Sequence, residues 1–278
     1  MIDPTVLADL IRKHLTEFYR RRTQSLSNLK LRKVLRNKNP YLYKARGTQS
    51  ANEIVEGLLS DHLSSSDEAL FGDAFFEPLA LEMAKLIGGA VSPSEGVDIA
   101  IETQTSYKAI ALKSGPNIFN ASQAKKQNQE FMSLRARLSK VRKDFDAVLG
   151  HAYGRKQTPA NENRIYRSSS GQAFWEELTD DSEFYLKIIR LMSDADIAQH
   201  RADYEAAYQK AVNRYLAEFI EDFCHTDGSI AWDKLLEYNS GKKAGKAPKV
   251  GVRNTSSEFD TRPAPPLELG ARPRRRKR

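Results

Sequence analysis

The sequence predicts an α/β (α+β) fold, a few strands flanked by helices with further helices at both ends, and three observations predict it. Val97, Ile99 and Ile101 alternate with Asp98, Ala100 and Glu102, while Ile110 and Leu112 alternate with Ala109, Ala111 and Lys113, the two-residue period of strands with one buried face. Phe145–Leu149 is a short apolar run of strand length. Most of the chain on either side repeats its apolar residues at three- and four-residue spacing, as amphipathic helices do.

Taken in order, Thr5–Arg21 is a packing helix through Leu7, Leu10, Ile11, Leu15 and Phe18. Leu29–Arg36 and Asn39–Gly47 are basic and interrupted by Pro40, and helical spacing resumes over Ala51–Leu63. The serine run Ser64–Ser66 reads as a linker or turn. Asp67–Gly88 is a strong helical segment through Leu70, Phe71, Phe75, Leu79, Met83 and Leu86, which Pro78 should kink or break. Glu77 lies at that irregularity among Phe75, Phe76 and Leu79. A carboxylate is costly to bury alone, so it is either turned to solvent or given a cation to hold.

The two alternating segments read as a hairpin. If Thr103–Lys108 closes it, Ile99 pairs with Leu112, Ile101 with Ile110, and Asp98 faces Lys113 on the side that is not core. Ser114-Gly115-Pro116-Asn117 then leaves the strand, and Asn120 is the N-cap of a helix over Ala121–Lys140. That helix has a core stripe (Ala124, Phe131, Leu134, Leu138), a polar stripe (Gln123, Gln127, Glu130) and many cations, Lys125 and Lys126 among them. Phosphate contacts and a merely solvated basic face are both open readings. Phe145–Leu149 runs into a loop, His151–Lys156, whose aromatic and two cations Arg155 and Lys156 suit nucleic acid without being diagnostic of it. Arg164–Arg167 reads as another strand. Ser169 with Gln172, and Asp180 with Glu183, read as capping boxes for the helices carrying Phe174-Trp175-Leu178 and Phe184–Met192. Asp194–Phe223 is a long amphipathic helix with an aromatic stripe, and Ser229–Asn239 a last short one.

Charge is unevenly spread. The chain of 278 residues carries a formal +8, but residues 241–278 hold twelve Lys and Arg against three acids, leaving 32 basic and 33 acidic residues elsewhere. Within the nearly neutral remainder, Tyr107–Arg167 has thirteen basic and four acidic side chains. Apolar periodicity vanishes from Gly241, so 241–278 reads as a disordered basic tail that would associate with any polyanion. The one cysteine, Cys224, excludes an intramolecular disulfide or a cysteine-cluster metal site and fits a reducing cytoplasm. Met1–Leu15 has charges inside its apolar run, unlike a signal peptide, and no stretch approaches a membrane span, so a soluble cytoplasmic protein is expected.

A helix with a glutamate, a strand with an aspartate, a strand ending in lysine, a basic helix and another strand together form a layout that resembles the PD-(D/E)XK nuclease core. The runs FGDAFFEPLA, SEGVDIAIE, ALKSGPNIFNASQ and SGQAFWEELTDDSEFY are similar to those of bacterial type II restriction endonucleases, over roughly Ala69–Asn239. The KSGPN turn and the SGQAFWEEL segment are the most specific of these. The resemblance implies a restriction-endonuclease-like core with a central mixed β-sheet at 66–240, preceded by a helical region at 1–65.

It further implies Mg²⁺-dependent, sequence-specific hydrolysis of double-stranded DNA, a homodimer, and a cognate DNA methyltransferase as genetic partner. Asp98 matches the superfamily's aspartate and Lys113 its lysine; Ala111 stands where an acid is usual. Glu102 lies ~13 Å along the strand from Asp98, too far to share an ion. Glu77 and Glu130 are the acids that could fill the gap, and Glu77 is the choice, because Glu130 sits roughly 10 Å along its helix from Gln123. The expected metal ligands are thus Glu77 and Asp98, with Lys113 catalytic, and the expected DNA contacts Ser114, Asn117, Asn120, Gln123, Lys125, Lys126, Arg155 and Lys156. A repair nuclease on the same core is an alternative. Another is an inactive DNA-binding or interaction module in which Asp98 and Lys113 form only a cross-strand ion pair.

Overall fold

The computed structural model describes residues 2–116 and 120–241. Among them, five strands form one mixed sheet in chain order: β1 Gly89–Val91, β2 Ile99–Glu102, β3 Ser106–Lys113, β4 Asp144–His151 and β5 Tyr166–Ser170. β1, β2 and β3 pair antiparallel; β3, β4 and β5 pair parallel. The helices are α1 Pro4–Asn28, α2 Leu31–Leu35, α3 Pro40–Ala45, α4 Ala51–Phe71, α5 Glu77–Leu86, α6 Ala121–Leu138, α7 Gln172–Thr179, α8 Phe184–Arg190, α9 Asp194–Phe223 and α10 Trp232–Ser240. The tail reading, beyond Gly241, and the expected DNA contact Asn117 lie outside the described residues.

Local chemistry sets the helix ends. Asp3 caps α1 by accepting from the Thr5 N–H at 2.7 Å, with Pro4 in the first turn where its missing N–H costs nothing. Asn120 and Gln123 form the reciprocal capping box of α6. The expected Ser169/Gln172 box is absent, because Ser169 belongs to β5 and Gly171 precedes α7. Asp181, rather than Asp180, accepts from the Glu183 N–H ahead of α8. Ser64–Ser66 is not a linker but the interior of α4, where the Ser66 hydroxyl bonds back to the carbonyls of His62 and Leu63.

The Pro78 irregularity takes the form of a π-helical turn, Gly72–Phe76, between α4 and α5. Pro78 has no N–H and its ring opposes the carbonyl four residues back; widening the preceding turn removes the conflict without ending the helix. In that turn the Glu77 N–H bonds the carbonyl of Gly72.

β3 is buried on both faces, a correction to the expectation of one open face. On one side Ile99, Ile110, Leu112 and Val148 share a core with α1, α5, α7 and α8 through residues such as Leu15, Leu79, Trp175 and Phe184. On the other, Tyr107, Ala109, Ala111, Ala147 and Leu149 pack with Phe131 and Leu134 of α6. A third cluster is mostly helical, joining Leu26, Leu31, Ile54, Leu58, Tyr215 and Phe219. α1 and α4 contribute side chains to both the first and third clusters.

The hairpin register also differs. Ile99 pairs with Ile110 and Ile101 with Lys108, two residues away from expectation. The cause is the turn. Thr103 N–H bonds the Ser106 carbonyl at 2.9 Å, and the Thr103 hydroxyl accepts from the N–H of Ser106 at 3.0 Å, so the hairpin closes over four residues. A two-residue slip preserves which side chains share a face, so Asp98 and Lys113 remain on one side but are no longer opposite each other.

Candidate active site

Continuing the observed register puts Asp98 across from Ala111. Its backbone N–H bonds the Ile110 carbonyl at 2.9 Å, and its carboxylate accepts from the Leu112 N–H at 2.7 Å. Lys113 ends β3, half-buried; among the described residues its ammonium makes neither a hydrogen bond nor an ion pair. The cross-strand ion pair with Asp98 is therefore not formed.

Glu77 reaches the same place from the first turn of α5. Its carboxyl is held above the usual carboxylate range, first by burial, then by the negative charge of Asp98, with Lys113 acting in the opposite direction. Asp98 and Lys113 thus both act on the ionisation of Glu77, which stands on a different element from either. Asp73, exposed on the π turn, adds a smaller repulsion. Glu130 is set differently. It packs against Gly96, where a side chain would collide with its carboxyl group, and pairs with Lys126 at 3.4 Å. Gln127 donates to the Gly96 carbonyl at 2.6 Å and Arg137 to Ser94 at 3.1 Å. α6 therefore grips the turn that precedes Asp98, and Gly96, with φ +71°, is required there both by its backbone and by the approach of Glu130.

Beyond Lys113 the chain is fixed from two sides. His151 lies beside Lys113 in the β3–β4 register, is 2% exposed, and donates from Nδ1 to the Gly115 carbonyl at 2.9 Å. Burial, followed by the charges of Lys156 and Lys113, pushes its pKa down, which favours the neutral ring. Its Nε2 is buried without a partner among the described residues. Tyr153 lies against Gly115 and bonds Glu68 of α4 through its hydroxyl. None of His151, Tyr153 or Glu68 carries a spacing signal; the loop composition alone drew attention to that stretch.

The expected DNA contacts divide. Ser114 is 6% exposed and enclosed against Gly72, so its side chain is not on the surface. Asn120 and Gln123 engage their side chains in the α6 cap. Lys126 pairs with Glu95 and Glu130. Lys156 reaches the Pro116 carbonyl at 3.4 Å. Lys125 and Arg155 are exposed and make no ion pair among the described residues. Much of the basic field of Tyr107–Arg167 is matched by acids from elsewhere: Lys108 and Arg167 by Glu177, Lys143 by Glu102. Beside the site, a cleft of about 900 Å³ opens between Tyr153–Arg155 and α7–α8, lined among others by Phe76, Gln157, Trp175 and Tyr185.

Among the described residues no three His, Cys, Asp or Glu side chains cluster for a metal. Two carboxylates, Glu77 and Asp98, are nonetheless oxygen donors of the kind that suits Mg²⁺, which retains several waters and commonly shares substrate phosphates. No helix among the described residues is long and apolar enough to cross a membrane.

A comparison with curated proteins gives no match. A protein-family model, Type II restriction endonuclease EcoO109I, matches residues 5–199, a range that includes the whole sheet and Glu77, Asp98 and Lys113. The chain belongs to the type II restriction endonuclease EcoO109I family.

Proposed function

We propose that this chain is a Mg²⁺-dependent endonuclease that hydrolyses phosphodiester bonds of double-stranded DNA at a specific sequence, with Glu77 and Asp98 as metal ligands and Lys113 as the catalytic cation. One observation carries the reading: Asp98, tied to β3 through the Leu112 N–H at 2.7 Å, and Lys113 at the end of that strand both lie within electrostatic reach of Glu77 on α5. A bound Mg²⁺ would polarise the scissile phosphate and lower the pKa of an attacking water. Lys113, half-buried and without an ion-pair partner among the described residues, offsets the charge that builds on the phosphate oxygens or orients the water. Asp98 is immobilised by Leu112 and so keeps its position without the metal. Lys125, Arg155 and Lys156, at the same end of the parallel strands, supply phosphate contacts, and the amide of Gln157 lies in the adjoining cleft.

The protein acts in the cytoplasm, as a homodimer, beside a DNA methyltransferase that protects the same sequence. Val6, Leu86 and Ile87, each half exposed or more, give a second copy an apolar surface to cover.

The test is cleavage of unmethylated genomic DNA. Discrete fragments with Mg²⁺, none with EDTA, and loss of cutting with retained binding in Lys113→Ala are the expected results. A random ladder would indicate a repair-type nuclease, and binding without any cleavage an inactive module.

A further inference from the structure

We propose that Gly72 is a positioning residue that sets the distance between the two halves of the site. The proposal rests on Glu77 and Lys113 being its working groups. Gly72 opens the π turn, and its carbonyl accepts the N–H of Glu77, so its position fixes where the acid enters the site. Its Cα faces Ser114, the residue after Lys113. A side chain at position 72 would collide with the Ser114 hydroxyl and bring its Cβ to 3.4 Å from that of Ser114. One residue thus bonds the acid-bearing helix on one side and touches the lysine-bearing strand on the other.

The main chain on both sides is held. Ser114 is buried, its carbonyl accepts from Tyr153 at 3.2 Å, and the Lys113 carbonyl accepts from Ala152 at 3.0 Å. The π turn is wedged from behind by the stacked rings of Phe71 and Phe75, 4.7 Å apart. With Ser114 enclosed, a methyl on Gly72 is relieved by the helix moving off the strand; relief by rotation of the Ser114 hydroxyl instead would leave the cleavage rate unchanged and overturn the proposal. Movement of the helix separates Glu77 from Lys113 without altering either side chain. The obstruction is specific: removing the Ser114 hydroxyl leaves only an ordinary carbon–carbon contact.

The experiment is a double-mutant cycle on the full chain with Gly72→Ala and Ser114→Ala, reading cleavage rate at saturating DNA, DNA affinity and the unfolding midpoint. Gly72→Ala should lower the rate about 100-fold, the scale of an ångström's misplacement, with DNA affinity little changed. In the Ser114→Ala background the same substitution should cost no more than about twofold, within the scatter expected of uncoupled sites. A purely structural role for Gly72 would instead give the same loss in both backgrounds, and that result overturns the proposal. Should Gly72→Ala fail to fold, the double variant, which lacks the collision, is compared with Ser114→Ala: equal rates support the proposal and a large deficit overturns it. Gly57→Ala, in α4 ahead of the π turn with only ordinary contact to Tyr43 at 3.8 Å, is the control and should cut like the wild type. If Glu77→Gln and Lys113→Ala cut normally, the site assignment is wrong and the proposal falls with it. If they are inert while Gly72→Ala is fully active, the positioning role alone falls.

Discussion

The carboxylate of Asp98 accepts a hydrogen bond from the backbone N–H of Leu112 at 2.7 Å, tying the acid before β2 to the strand that ends in Lys113. Leu112 is fully buried, so without that acceptor its N–H would be stranded. Asp98→Asn keeps an oxygen for the bond and removes the charge; Asp98→Ala removes both. The first should leave stability within roughly 0.5 kcal/mol of wild type, and the second should cost about 1–3 kcal/mol. Both should abolish cleavage. Equal denaturation midpoints for the two variants would show that the bond contributes nothing.

The same cleavage assay separates the two candidate acids. Glu77→Gln should lose activity as severely as Asp98→Asn, by roughly three orders of magnitude or more if each ligand is needed for charge stabilisation. Glu130→Gln should cost much less, because Glu130 packs beneath Gly96 and pairs with Lys126. The reverse order would move the metal to α6.

Glu77 also gives a stability prediction with a definite sign. Burial and Asp98 raise its folded-state pKa above the unfolded value, so the folded protein holds a proton there more tightly. Stability present below the ordinary carboxylate range is lost as pH rises through the raised pKa. Glu77→Gln removes that loss. Its melting temperature should exceed the wild type's by a few degrees at pH 8 without metal, and the difference should vanish near pH ~4. Added Mg²⁺ should raise the wild-type melting temperature and not that of the variant. A lower melting temperature for Glu77→Gln at pH 8 would contradict the reading.

Residues 242–278 hold twelve basic and three acidic residues. Their deletion should weaken nonspecific DNA binding and flatten its dependence on salt, since fewer counterions are released, without changing the sequence that is cut. A changed cleavage site in the truncated protein would make this segment part of recognition.

Much of this architecture was legible in the sequence, and the misses have physical causes. The alternation at Ile99–Ile101 and Ile110–Leu112 gave the hairpin and the shared face of Asp98 and Lys113. It hid the second core because Ala109 and Ala111 are too small to register as apolar, although their smallness is what lets Phe131 and α6 lie over β3. Ala111 thus has a packing reason to stand where an acid is usual. The register error came from Thr103, whose hydroxyl closes a tighter turn than residue counting suggests. Pro78 marked the break, but whether a proline ends a helix or widens it depends on what packs there. The clamp on the turn after Lys113, built by His151 and Tyr153, joins residues some forty positions apart and leaves no local pattern.

The strand order repeats the order of synthesis, and this has a consequence for how the protein is made. Each strand's partner is the one that left the ribosome just before it, so the sheet can grow by addition at one edge with no strand waiting for a later one to be inserted. α5, with Glu77, is available before β3 emerges, and Lys113 arrives at a place already marked by Asp98. The slow step is then expected to be the long-range docking of α9 onto α1 and α4, which completes the helical cluster. A nascent chain stalled after β5 would already carry Glu77, Asp98 and Lys113 on α5 and the sheet and lack only the helical support behind them.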